Sequence, residues 1–309
     1  MPKVTVTVPA SCINLGPGIE SLGLALGLYN TVEINLRPDQ KPTITILGES
    51  PDAYPTTSSH PVMKAISAFS QAQNVTPTGI SVVCTSRIPF NCGLGDHAAW
   101  VVGGLAAINN LLGSPRDGTQ MSRDHLINAA AQLTDRPAAA ITSLLGGLTI
   151  TASSDDELLY RQLSVRSLEL ILALPDIPDY RQRLAKAKAS TKKVDLKDVI
   201  FNVGHTALLV EALRNNDMAL LAKAMQDRVL DPNRKTLVPG FDNAISAARQ
   251  AGAAATVFCG DGPALISFAA HNHSRIEGAL CDAFRVEGIN VRTWIIKGDS
   301  QGITINLQQ

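Results

Sequence analysis

Three glycine-rich turns carry the side chains in this sequence that could meet a charged ligand. The first, Pro9-Ala10-Ser11-Cys12-Ile13-Asn14-Leu15-Gly16-Pro17-Gly18, follows a run of alternating valines at residues 3–8. The second is Pro89-Phe90-Asn91-Cys92-Gly93-Leu94-Gly95-Asp96-His97-Ala98-Ala99, and the third is Cys259-Gly260-Asp261-Gly262-Pro263. Glycines between a strand and a helix start leave backbone N–H groups and the positive end of a helix dipole open to an anion. The second turn fits that arrangement, because Asp96–Leu112 is apolar nearly all round and reads as a buried helix rich in Ala and Gly. Any one such turn is ordinary punctuation, whereas three in one chain make a constellation. Cys12, Cys92 and Cys259 lie in or beside them, and with Asp96, His97 and Asp261 they could form a soft-metal or thiol site. The simpler alternative is that each cysteine occupies a place where only a small side chain fits.

The elements that must position these turns can be read from periodicity. Beyond residues 3–8, β-rich runs cover Thr31–Leu36, Thr43–Leu47 and Ile80–Thr85. Val62, Ile66 and Phe69 fall at helical spacing within Pro61–Gln73, and helical segments follow at Arg123–Leu133 and Pro137–Leu145. A strand at Leu168–Ala173 stops at Pro175, and the basic stretch Arg181–Lys193 reads as a solvated surface segment or lid. Helices are expected at Leu196–Arg214, Met218–Arg228, Phe241–Ala251 and Arg275–Phe284, with strands at Ala255–Cys259, Ala264–Phe268 and Asn290–Ile296. This order predicts two α+β halves, residues 1–155 and 156–309, in preference to one alternating parallel sheet.

Composition narrows the partners. In 309 residues, 27 Lys+Arg balance 27 Asp+Glu and 45% are hydrophobic, so no global charge draws the chain to nucleic acid or to a membrane surface. No run approaches the roughly 18 apolar residues of a membrane span, and MPKVTVTVPA alternates like a strand, so a cytoplasmic location is expected. Five cysteines without a CxxC pair indicate neither a disulfide framework nor a zinc ribbon.

The segments PASCINLGPG with LGLALGLYNTVE, PFNCGLG with its helix, FNVGHTALLVEAL, DRVLDPNRKTLVPGF and GDGPALISFA together carry a family likeness. The chain resembles the GHMP small-molecule kinases, and among them the homoserine kinases. The resemblance implies a two-domain α+β fold, with a ribosomal-protein-S5-like N-terminal domain and a ferredoxin-like C-terminal domain. It implies ATP with Mg²⁺ on the second turn, along Pro89, Gly93, Leu94, Gly95, Asp96, His97 and Ala98. It further implies transfer of the γ-phosphoryl to the hydroxyl of homoserine or a similar small amino-acid alcohol, as in threonine biosynthesis, with Asn14 and Glu20 at the reacting groups. Arg234 would be the guanidinium for the substrate carboxylate, joined by His205, Arg183 and Asp261. A homodimer is the assembly the family suggests.

The departures from the family pattern fall at the motif positions. Where the family has Gly-Leu-Gly-Ser-Ser-Ala, this chain has Asp96 and His97 in place of the two serines. A carboxylate about 4 Å from a phosphate oxygen costs on the order of 4 kcal/mol at an effective dielectric near 20, roughly three decades of affinity. A Mg²⁺ ion between them reverses the sign, which makes Asp96 a candidate metal ligand. Glu20 replaces an aspartate, and Gln132 stands at the best counterpart of a Mg²⁺-binding glutamate. Arg136-Pro137-Ala138-Ala139 lacks the polar residues of His-Pro-Asp-Asn. Tyr180 and Leu184 fall at a Thr-x-x-x-Arg pattern, with Arg181 and Arg183 as neighbours; His205 stands at an arginine, and Asp261 is an added acid. Three outcomes are compatible with this pattern: a working homoserine-kinase-like enzyme, a refitted pocket, or a binding protein without catalysis.

Overall fold

A computed structural model of the chain describes residues 2–37, 41–75, 77, 79–114, 119–154, 157–166, 168–190 and 193–308. In chain order the elements are β1 (Lys3–Leu15), β2 (Gly18–Leu36), β3 (Thr43–Gly48), α1 (Pro61–Gln73), β4 (Ile80–Ser86), α2 (Asp96–Leu112), α3 (Arg123–Gln132) and α4 (Pro137–Leu145). There follow β5 (Leu148–Ser153), β6 (Leu158–Leu163), β7 (Glu169–Pro175), α5 (Tyr180–Ser190), α6 (Leu196–Asn215), α7 (Met218–Ala224) and α8 (Asp231–Arg234). The chain ends with α9 (Phe241–Ala251), β8 (Ala255–Phe258), β9 (Leu265–Phe268), α10 (His273–Val286), β10 (Val291–Lys297) and β11 (Thr304–Gln308). Two compact units result, one from Met1–Ser11, Gly23–Gln162 and Asp299–Gln309, the other from Cys12–Leu22 and Leu163–Gly298. Neither is a continuous half of the chain, and the boundary expected at 155/156 lies outside the described residues.

The first unit is built on a mixed sheet of order β11-β1-β2-β4-β3, with β5 joined to β2 and β6 to β5. Val4, Val6 and Val8 are fully buried on one face of β1, as the alternation at residues 3–8 requires. β2 is much longer than the expected Thr31–Leu36. Leu22, Leu24, Ala25 and Leu26 are all buried, so that stretch has no alternation to betray it. α2 fulfils the expectation of a buried helix. A side chain at Gly103 would meet Val32 Cγ2 at 2.7 Å and one at Gly104 would meet the Val62 backbone at 3.0 Å, so these glycines let α2 approach β2 and α1 closely.

In the second unit the sheet order is β10-β7-β9-β8, antiparallel throughout. α9 and α10 cover it, and Ile171, Phe258, Leu265, Ile276, Leu280 and Phe284 make its core. Most of the basic stretch forms α5, anchored by buried Tyr180 and Leu184; residues 191 and 192 lie outside the described residues. α7 ends at Ala224, short of the expected Arg228. Past that end the Arg228 N–H donates to Asn202 Oδ1 instead of to a helical carbonyl, and the Asp227 carboxylate accepts from the N–H groups of Val229, Leu230 and Asp231, turning the chain into α8. The α+β class is thus as expected, and no helix among the described residues is long and apolar enough to cross a membrane.

Candidate active site

In the first unit the second turn is fixed from below by β1. The Ser11 N–H donates to the Leu94 carbonyl at 3.0 Å, and Gly95 caps α2 with φ of 73°. A Cβ at Gly95 would lie 2.0 Å from Ser11 Oγ, so only glycine fits. Gly95 has no side chain with which to cap the helix, so no oxygen of the cap residue accepts from the N–H groups at the start of α2. Cys92 Sγ donates to the Pro89 carbonyl at 3.2 Å and is buried, so its thiol serves the turn itself.

Asp96 is buried at the first position of α2, and Tyr54 Oη donates to its Oδ2 at 2.7 Å. Burial, and then the charge and hydrogen bond of Asp96, push the Tyr54 phenol far up, so it remains a donor at all ordinary pH. Around this pair the rings of His60 and Phe90 stand edge-on to Tyr54 at 5.3 and 5.0 Å, and Trp100 lies 5.8 Å from His60. His60 caps α1 by accepting the Val62 N–H on Nδ1, which leaves Nε2 as the protonated nitrogen of the neutral ring. His60 Nε2 and Trp100 Nε1 are buried and have no hydrogen-bond partner among the described residues. Burial, helped by His97, lowers the His60 pKa to about 4. His97 is also lowered, by burial first; Asp96 and Asp135 oppose that shift and Lys64 adds to it.

In the second unit the first turn closes on itself. Asn14 Oδ1 accepts the Glu20 N–H at 2.7 Å, and both residues have positive φ, 54° and 51°. Asn14 thus closes the hairpin with its side chain across six residues, with both ends in the left-handed region. Its Nδ2, buried without a partner among the described residues, is the donor it has left to offer. Glu20 is exposed. The third turn docks beside the first, with the Gly260 N–H donating to the Ile13 carbonyl at 2.8 Å.

Arg234 differs from the open guanidinium expected for a substrate carboxylate. It is 3% exposed; Nη1 donates to the Gly260 carbonyl, and Nη2 donates to Asp231 Oδ1 at 2.6 Å and lies 3.4 Å from Asp227 Oδ2. Asn202 Nδ2 donates to Asp227 Oδ1 at 2.8 Å and completes the knot. Two carboxylates thus share one guanidinium. Burial pushes Asp231 up to about 6 in spite of Arg234, as a site with one acid too many requires.

The remaining expected residues lie elsewhere in this unit. Asp261 is paired with Lys188 Nζ at 2.8 Å, and Tyr180 Oη donates to its carbonyl at 2.7 Å, tying α5 to the third turn. Burial raises Tyr180 to about 12, so it stays a donor. Arg183 Nη2 donates to the Leu237 carbonyl at 3.0 Å and borders a pocket of about 410 Å³ with Ile177, Gln182 and Pro239. His205 stacks on Phe201 at 3.6 Å, and the Arg228 guanidinium lies 3.6 Å from the same ring. None of the five cysteines forms a disulfide, and among the described residues no three His, Cys, Asp or Glu side chains converge as a metal site.

Sequence reasoning missed Tyr54, His60 and Trp100 at the second turn, and Asp227, Asp231 and Lys188 at the third. The Asp231/Arg234 pair was findable, since an acid and an arginine three apart in DPNR face each other on a helix. Tyr54 lies 42 residues from Asp96, and no local pattern connects them.

Comparison with known proteins decides the family. The GHMP kinase N-terminal domain model matches residues 60–147, and the GHMP kinase C-terminal model matches residues 209–286. The homoserine kinase of Moorella thermoacetica is 31% identical over 92% of this chain and 93% of its own length. This chain belongs to the GHMP kinase family. Among its members, the homoserine kinase of Nostoc punctiforme is 31% identical to this GHMP kinase over 97% of both chains. The crystal structure of homoserine kinase from Cytophaga hutchinsonii has a TM-score of 0.85 at 25% identity and covers 98% of this chain and 97% of that one. The homoserine-kinase-like character of the chain therefore extends over both family domains.

Proposed function

We propose that this GHMP kinase transfers the γ-phosphoryl of ATP to the hydroxyl of homoserine or a similar small amino-acid alcohol, as a step toward threonine. The observation that carries the reading is the near-full-length similarity to proteins named homoserine kinase. The glycine-bounded start of α2 supports it, because backbone N–H groups and a helix dipole suit a triphosphate. In this reading the N-terminal domain, near residues 1–155, takes the nucleotide along Pro89–Ala98, and the C-terminal domain, near residues 156–309, supplies acceptor-side groups.

Bound ATP with Mg²⁺ supplies the transferable phosphoryl group and the cation that neutralises it. The metal-side role falls to Asp96, held by Tyr54 where the family has a phosphate-facing hydroxyl. Mg²⁺ needs only one or two carboxylates when phosphates complete its shell, so the lack of a three-residue metal cluster among the described residues is compatible with it. Asn14 Nδ2 is the donor for the acceptor hydroxyl or the phosphoryl oxygens, and Glu20 is the acid at the same turn. Arg234 acts through Gly260 and Ile13 as a positioning residue, so the acceptor carboxylate calls for another cation, for which Arg183 is the candidate. Coupled ADP release over a panel of amino alcohols tests this reading, and homoserine or a close analogue should give turnover that Asn14→Ala lowers by decades.

A second reading, a small-ligand-binding protein without turnover, is favoured by one observation: the buried carboxyl group of Asp96 at the helix start, where the family has a serine. Thermal stabilisation by an amino acid or other metabolite, with none by Mg-ATP and no ADP release, would select it.

A further inference from the structure

Within the second unit, the end of α7, α8, the start of α9 and β8 enclose a pocket of about 320 Å³. β8 is the edge strand of its sheet and is entered through Ala253-Ala254-Ala255, so neither a further strand nor a bulky side chain fills the space beside it. Phe241, Ile245 and Val257 give the pocket apolar walls. Its charged groups are sorted by depth. The side chains of Asp227 and Asp231 are 0 and 20% exposed, whereas those of Lys235 and Asp242 are 44 and 80% exposed. At the inner end Asp227 and Asp231 share the one guanidinium of Arg234, which leaves one negative charge unmatched. The Asp227 oxygens are taken up by Asn202, Arg234 and the N–H groups of Val229, Leu230 and Asp231. Asp231 gives Oδ1 to Arg234, and among the described residues no donor meets its Oδ2. Burial pushes Asp231 up to about 6 against the pull of Arg234, as befits an acid short of a cation. At the mouth Lys235 and Asp242 lie 3.8 Å apart and cancel. Arg228 and Arg249 are exposed there and have no acid partner among the described residues, which leaves two positive charges. Arg228 lies on the Phe201 ring at 3.6 Å, a contact that uses the flat face of the guanidinium and leaves its N–H edge to donate.

We propose that this pocket is a binding site for a small aminoalkyl phosphate, a primary ammonium joined by a short carbon chain to a phosphate. The ammonium donates to Asp231 Oδ2, the chain lies along the apolar walls, and the phosphate takes Arg228 and Arg249 at the mouth. Charge selects this class over simpler ligands. The pocket presents one negative charge within and two positive charges outside, and a phosphate monoester carries about −1.5 to −2 at neutral pH. Inorganic phosphate leaves the inner acid unmatched, and a bare amine leaves both guanidiniums so. An amine bearing a carboxylate supplies only half the outer charge. Arginine also suits phosphate by geometry, through paired N–H donors. A ligand on Asp231 joins a network that runs on through Arg234 to the Gly260 carbonyl, and from the Gly260 N–H to Ile13, so it braces the third turn against the first.

The inference does not depend on the kinase reading. Titration calorimetry of the full chain with aminoethyl, aminopropyl and aminobutyl phosphate tests it, with propyl phosphate, propylamine and inorganic phosphate as controls. At least one aminoalkyl phosphate should bind roughly tenfold more tightly than every control. Asp231→Asn, which keeps an oxygen for Arg234, should weaken that ligand roughly tenfold and leave propyl phosphate unchanged. Arg249→Gln, at an exposed position that the fold does not need, should weaken both phosphate esters roughly tenfold and leave propylamine unchanged. No binding by any aminoalkyl phosphate, binding no tighter than that of propyl phosphate, or an affinity indifferent to Arg249→Gln would each overturn the inference. An affinity that Asp96→Asn changes and Arg249→Gln does not would place the phosphate at the second turn and overturn it as well.

Discussion

The second turn and the third turn of this GHMP kinase have each been altered in charge, and they respond in opposite ways. At the second turn an acid, Asp96, stands at a helix start suited to an anion, and the chain answers it with a neutral donor, Tyr54, at 2.7 Å. The carboxyl group is therefore anchored at the helix start. At the third turn the cation expected for the substrate, Arg234, is present but buried under Asp227 and Asp231, so its charge is spent inside the protein. What a charged residue can offer a ligand is set by the partner it already has, and for Asp96 that partner lies 42 residues away.

The largest effect should come from breaking the knot. Arg234→Ala leaves two carboxylates buried without their cation, and chemical denaturation should show a loss of about 3–5 kcal/mol. A variant of full stability in which only the substrate Michaelis constant has risen would restore Arg234 to the ligand-binding role and erase the contrast between the turns.

The next effect belongs to His60 and depends on pH. Its folded pKa of about 4 lies below the ordinary 6.5, so the unfolded chain binds more protons between these values and stability falls as pH drops through them. The loss should approach about 3 kcal/mol at the acid end. His60→Asn, which can still cap α1, should flatten that part of the stability curve. An unchanged slope would place the acid sensitivity elsewhere.

Tyr54→Phe sharpens the comparison from the other side. It removes the hydrogen bond that holds Asp96 and should cost about 1.5–3 kcal/mol in equilibrium unfolding, as a lost bond to a charged group does. Smallest of all, Lys188→Met releases a partly exposed ion pair to Asp261 and should change stability by less than about 1 kcal/mol. A larger change would mean that α5 is held to the third turn chiefly by this pair and not by Tyr180 and Leu184.

Much of the scaffold could be read in the sequence because its signals are local. Pro61–Gln73, Pro137–Leu145 and Phe241–Ala251 form helices with the expected ends, since periodicity and proline starts mark them. β11 escaped because Thr304–Gln308 is exposed along its length and is held by backbone pairing with Lys3–Thr7, without any apolar alternation. The glycine turns were legible as places of close approach, and Gly95 bears this out against Ser11. The state of the charged residues was not, because Tyr54, Asp227 and Gly260 reach Asp96 and Arg234 through the fold. Met218–Ala224 ends early for the same kind of reason, the side chain of Asn202 taking the Arg228 N–H from 26 residues away.

The proposed nucleotide site is tested most directly at Asp96, the acid at the start of α2. Calorimetry of ATP binding to the wild type and to Asp96→Asn, with and without Mg²⁺, isolates that charge while Tyr54 keeps a hydrogen-bond acceptor. If the phosphates lie on this turn, the substitution should weaken Mg²⁺-dependent binding by a decade or more, while metal-free binding, relieved of the repulsion between carboxylate and phosphate, should strengthen. An affinity that moves in neither condition would mean that the phosphates do not lie on the turn Pro89–Ala98.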